Sequence, residues 1–199
     1  MMSKLNIVYL EDNIEDAKIA IEEFNKTMKL IAEWGLVSEM GFKELNIERI
    51  EGSQPIEERG RNYEFYIEED MEQIQAKIQE MSNAEGKTGI LMDVILTKEE
   101  QDQLKFDAEP HVIFSRRIHD EYAEQFGVYI ITALRNFGSR AWGIYGKEKI
   151  GERYISKALV NSYPSRKAMA RALYWMYHKE GMKEDLLRKI EELELMELD

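Results

Sequence analysis

The chain has 199 residues, long enough to bury one substantial core and short enough that a single domain is expected. Apolar residues make up 44% and charged residues 33%, a globular composition, and no apolar run approaches the roughly 20 residues that cross a bilayer, so a membrane-spanning helix is excluded. A net charge of -12 opposes nonspecific binding to nucleic acid, and the absence of cysteine removes disulfides and thiolate zinc sites.

Strands alternate with helices along the chain. Leu5 to Leu10 is an apolar run interrupted only by Asn6, as expected of a strand buried on both faces. Asp12-Asn13 can cap the helix that follows, in which Ile14, Ala17, Ile21, Phe24 and Met28 recur at helical spacing. Residues 35 to 62 carry Gly35, Gly41, Gly52, Pro55 and Gly60 among mixed charges and are expected to form an irregular or partly helical insertion. Strand signals resume at Tyr63 to Ile67. Met71, Ile74, Ile78 and Met81 mark a second helix ending at Asn83 to Gly86, and Gly89 to Leu96 is the next buried strand. A polar loop over 97 to 110 precedes a third helix at Ser115 to Phe126 and a fourth strand at Val128 to Thr132. The glycine-interrupted segment Phe137 to Ile150 leads to a fifth strand at Tyr154 to Ser156, and Met169, Ala172, Leu173 and Met176 line one face of a further core helix. Past Gly181, Leu186, Ile190 and Leu193 form a short amphipathic stripe in an acidic background. The expected organisation is a main unit over 1 to 180 followed by a C-terminal acidic helix over 181 to 199.

Four of these strands run into polar residues of distinct chemistry. Glu11 and Asp12 follow Ile-Val-Tyr-Leu, Asp93 follows Gly-Ile-Leu-Met, Thr132 ends Tyr-Ile-Ile-Thr, and Lys157 follows Tyr-Ile-Ser. The C-terminal ends of strands in an open parallel sheet lie along one rim, so three carboxylates, a hydroxyl and an ammonium are expected to converge there. Taken singly, most have an ordinary reading: Glu11 or Asp12 suits a helix N-cap, Thr132 a β-branched strand position, and Lys157 a solvated surface. Asp93 is different, because a carboxylate inside Ile-Leu-Met-Asp-Val-Ile-Leu is costly to bury unless it is paired. Together the set suits one task, holding a divalent cation beside an aspartate that accepts a phosphoryl group.

In this order the motifs resemble the receiver domain of two-component response regulators. The matching features are the acidic pair after strand one (Glu11, Asp12), the acceptor aspartate after strand three (Asp93), Thr followed by Ala after strand four (Thr132, Ala133), and Lys after strand five with an aromatic three residues earlier (Lys157, Tyr154). The resemblance spans about residues 4 to 180. It implies an α/β, flavodoxin-like (βα)5 fold with a doubly wound parallel sheet of strand order 2-1-3-4-5, here with an extra C-terminal helix. It also implies Mg²⁺ held by Asp12, Asp93, the backbone carbonyl of Ile95 and Glu11, the last directly or through water. Asp93 would take a phosphoryl group from a histidine kinase or phosphotransfer protein, with Lys157 and Thr132 assisting. Thr132 and Tyr154 would then form the switch, the threonine moving inward and the tyrosine filling the space it leaves. Such a chain catalyses only its own phosphorylation and dephosphorylation, and the N-terminal Met-Met-Ser-Lys-Leu-Asn-Ile-Val, without a signal-peptide pattern, predicts a cytoplasmic location.

The chain departs from the family in spacing and in two prolines. Asp12 and Asp93 are 81 residues apart, Asp93 and Thr132 are 39 apart, Val94-Ile95 stands where Met-Pro is usual, and Ala158 replaces the proline after the lysine. These departures keep open a phosphorylation-independent pseudo-receiver acting as a protein-binding module. A haloacid-dehalogenase-like phosphatase is a weaker alternative, since Ile95 stands where that family places its second aspartate. His111, His119 and His178 lack paired zinc-ligand spacing. Residues 135 to 171 hold nine bases against two acids, either a solvated face or a docking face for a downstream protein partner. Residues 180 to 199 hold eight acids against three bases, and their leucine stripe is expected to pack on the same molecule with carboxylates near Arg166, Lys167 and Arg171. Pairing of two tails between chains is the alternative. No DNA-binding or catalytic output domain is recognisable, so a single-domain regulator working through protein contacts is expected in preference to a transcription factor or other nucleic-acid binder.

Overall fold

The apolar run at the N-terminus forms β1 (Ser3–Leu10), buried continuously from Leu5. The computed structural model describes residues 3–52, 54–55, 63–65, 67–93, 114–132, 154–156 and 166–196. Asn13 then starts α1 (Ile14–Glu33), its side-chain oxygen accepting from the N–H groups of Glu15 at 2.9 Å and Asp16 at 3.2 Å and so satisfying two donors the helix start leaves open. After the short α2 (Val37–Met40) come β2 (Phe42–Ile50), β3 (Gln54–Pro55), β4 (Tyr63–Glu64), α3 (Ile67–Asn83) and β5 (Lys87–Met92). Beyond them lie α4 (Phe114–Tyr122), β6 (Gly127–Thr132), β7 (Tyr154–Ser156), α5 (Arg166–His178) and α6 (Glu184–Met196).

Five strands form one all-parallel sheet in the order β2-β1-β5-β6-β7, which is the flavodoxin-like 2-1-3-4-5 arrangement. The second strand of that order is β2, not the Tyr63 to Ile67 segment expected from sequence, and it lies within the stretch expected to be an irregular insertion. It runs beside β1 from Lys4 against Glu44 to Leu10 against Ile50, whereas Tyr63 and Glu64 pair antiparallel with Pro55 and Gln54 in a separate two-stranded sheet. The physical reason is position: β2 is an edge strand with exposed Lys43 and Glu44 and half-buried Leu45 to Arg49, so it has no continuous apolar run. The third helix also closes earlier than expected, at Tyr122 rather than Phe126. Expected features at 94 to 96, 97 to 110 and 137 to 150 lie outside the described residues.

The two-residue period of the strands divides the interior into two cores. Leu5, Ile7, Tyr9, Leu91, Tyr129 and Ile131 pack with α1, α5 and α6 on one face, while Val8, Leu10, Ile90, Met92, Val128 and Ile130 pack with α3 and α4 on the other. Met71, Ile74, Ile78 and Met81 are the buried stripe of α3, as their spacing predicts. α5 comes unusually close to the sheet near its C-terminal end. A Cβ on Gly127 would sit 2.5 Å from Met176 Cα, so only glycine allows that approach.

α6 packs on α5 through Leu186, Leu187 and Ile190, and all three are buried in the α1 and α5 core. Its carboxylates reach the first turn of α5: Glu194 accepts from the backbone N–H groups of Arg166 at 2.7 Å and Lys167 at 3.3 Å, and Glu191 pairs with the Lys167 ammonium at 2.7 Å. The expected intramolecular packing of the tail therefore holds for Arg166 and Lys167, and Arg171 is exposed. Arg166 also pairs with Glu23 of α1 at 2.8 Å.

Candidate functional site

The strand register sets the site. Ile50, Leu10, Met92, Ile130 and Tyr154 lie on one rung across the sheet, so the residues that follow in each strand emerge together at the C-terminal rim. Glu11 and Asp12 leave β1 there, Asp93 leaves the adjacent β5, and Thr132 ends β6 two residues past that rung. A hydrogen bond from Asp93 N–H to Leu10 O, 3.0 Å, carries the pairing of β1 and β5 right to the acidic residues.

Glu11, Asp12 and Asp93 each offer a carboxylate oxygen within 4.8 Å of the others, and they are 0%, 6% and 6% exposed. Three carboxylates buried this closely repel one another and lose hydration, a cost that a cation offsets. An all-oxygen donor set is the chemistry that hard divalent cations select, so these three residues could hold such an ion.

Glu11 is held from two sides. Its Oε2 accepts from the Tyr9 hydroxyl at 3.0 Å and its Oε1 from Asn13 N–H at 3.2 Å. Burial raises the Tyr9 hydroxyl well above its ordinary value of 10.0, and the negative charges of Glu11 and Asp93 raise it further, so it stays protonated and serves as a donor. Arg49 of β2, the register partner of Tyr9, donates through Nε to the Glu11 carbonyl at 2.9 Å and through Nη2 to the Asp12 carbonyl at 3.4 Å. Its Nη1 pairs with Glu51 at 2.6 Å.

Thr132 is buried, and Tyr154 is half-buried against the core that contains Ile130. Ile130 pairs with Tyr154 and Thr132 with Ser156, so Thr132 and Tyr154 project from the same face of neighbouring strands. Of the residues expected at the site, Glu11, Asp12 and Asp93 are brought together and Thr132 lies at the same rim. Lys157 and Ile95 lie outside the described residues, as do Arg135, Arg140, Lys147, Lys149 and Arg153 of the basic stretch. Tyr9 and Arg49 were not expected from sequence. Tyr9 carries a weak signal, a polar-tipped aromatic two residues before an acidic pair, and Arg49 becomes visible only once β2 is set in register with β1.

No described helix is long and apolar enough to cross a membrane. Comparison with family models, with curated proteins and with solved structures finds no match to this chain.

Proposed function

We propose that the chain is a phosphoacceptor receiver of a two-component or phosphorelay system, in which Mg²⁺-dependent phosphorylation of Asp93 switches a protein-interaction surface. The observation that carries this reading is the buried triad of Glu11, Asp12 and Asp93 at the ends of two adjacent parallel strands, with the Thr132 hydroxyl at the end of the next. A carboxylate oxygen of Asp93 attacks phosphorus in line, the bond from phosphorus to the donor's leaving group breaks, and that group departs with the bonding electrons. Glu11, Asp12 and Asp93 would hold Mg²⁺, which would supply charge neutralisation for the transferring group. Asp12 and Glu11 orient the site, Thr132 donates to a phosphoryl oxygen, and Lys157 adds the second positive charge. Tyr154, on the same sheet face as Thr132, couples the movement of that hydroxyl to the region of α4 and β7. A histidine kinase or phosphotransfer protein is the donor.

Intact-mass spectrometry after incubation with Mg²⁺ and acetyl phosphate tests the proposal. One added phosphoryl group, lost with chelator and absent in Asp93→Asn, is the expected result. An unmodified wild-type chain under conditions that saturate Mg²⁺ would replace it with the pseudo-receiver reading.

A further inference from the structure

Arg49 makes contacts that the proposed chemistry does not use. It comes from the edge strand, its side chain is 11% exposed, and its guanidinium spans three acceptors at once: the main-chain carbonyls of Glu11 and Asp12 and the Glu51 carboxylate. The two carbonyls belong to the residues whose side chains lie within 4.8 Å of Asp93. Arg49 grips the backbone that aims those side chains.

We infer that Arg49 is a positioning residue that sets the divalent-cation affinity of the acidic turn. The inference rests on the cation-dependent reading of the site given above. Two effects of Arg49 oppose each other. Its positive charge near a cation site weakens binding, whereas its hold on the turn fixes Glu11 and Asp12 before the ion arrives and strengthens it. Glu51, paired with the guanidinium at 2.6 Å, offsets part of that charge, which tilts the balance toward geometry. The planar guanidinium fork is what permits three simultaneous acceptors, and a lysine ammonium keeps the charge without that reach. β2 thereby becomes part of the site through the backbone of the acidic turn.

Calorimetric titration with Mg²⁺ of the full chain, the Arg49→Lys variant and the Arg49→Gln variant separates the two effects. With positioning dominant, Arg49→Lys weakens Mg²⁺ binding roughly tenfold or more, as removal of outer-shell partners typically does, and Arg49→Gln weakens it at least as much. With charge dominant, Arg49→Lys binds like wild type and Arg49→Gln binds more tightly, which overturns the inference. Melting curves in chelator accompany each titration, and a weakened affinity counts only in a variant that still unfolds cooperatively. If one substitution fails to fold, the other decides. Wild type that shows no saturable Mg²⁺ heat overturns both the cation reading and this one, whereas normal wild-type binding with an unchanged Arg49→Lys overturns this one alone.

Discussion

Both carboxylate oxygens of Glu11 are engaged by fixed donors, so little side-chain entropy remains to be lost when an ion binds. Removing the Tyr9 hydroxyl takes one donor from a buried carboxylate. Tyr9→Phe is therefore expected to lower stability by about 1–3 kcal/mol in chelator, with part of the loss recovered in Mg²⁺, as urea titrations under the two conditions would show. A loss of the same size in both conditions would disconnect Tyr9 from the site. At this scale the sequence was most legible where chemistry is carried by side chains at strand ends, as for Glu11, Asp12, Asp93 and Thr132. It was least legible for Arg49, whose contacts at the site are to backbone carbonyls 37 and 38 residues away that leave no motif.

Among the elements, β1, α3, β5 and β6 could be read in advance because burial imposes a continuous apolar run or a helical stripe on them. β2 hid among glycines and charges because one of its edges pairs with β1 and the other belongs to no described ladder, so its alternation is half-polar. α1 and α5 are tied by Glu23 and Arg166. Burial alone pushes the Glu23 carboxyl up, but hydrogen bonds from Lys26 and Arg166 outweigh it and hold the group below its ordinary value of 4.5. A lowered value means that the folded state binds protons less readily than the unfolded one. The contribution is thus present in full above the ordinary value and fades as pH falls through the lowered one. Glu23→Gln is expected to cost about 1–3 kcal/mol at neutral pH, with the difference from wild type shrinking in acid. Urea midpoints measured from pH 7 down to about 3 check this, and a gap that is constant across the range would remove the ion pair as its cause.

For the molecule as a whole, a cation that binds only the native state raises the melting temperature by mass action. Mg²⁺ at 100 times its dissociation constant contributes about 2.7 kcal/mol, which for a chain of this size is roughly a 5–10 °C shift. Asp12→Ala is expected to abolish nearly all of it and, by removing one of three crowded negative charges, to leave the ion-free protein no less stable than wild type. A full shift in that variant would locate the ion elsewhere. The glycine-permitted approach of Met176 to the start of β6 has a mechanical meaning at this scale. It pins α5 at the end of the sheet far from the rim, while the first turn of the helix, about 15 Å away, is tied by Glu23, Glu191 and Glu194. The contact at Met176 is the tightest point along a helix whose buried residues run from Met169 to Tyr177. A tilt of about 5° about that contact would move the Arg166 end by about 1 Å, enough to lengthen the bonds from its backbone N–H groups to the Glu194 carboxylate, while buried Leu186, Leu187 and Ile190 keep the C-terminal helix seated.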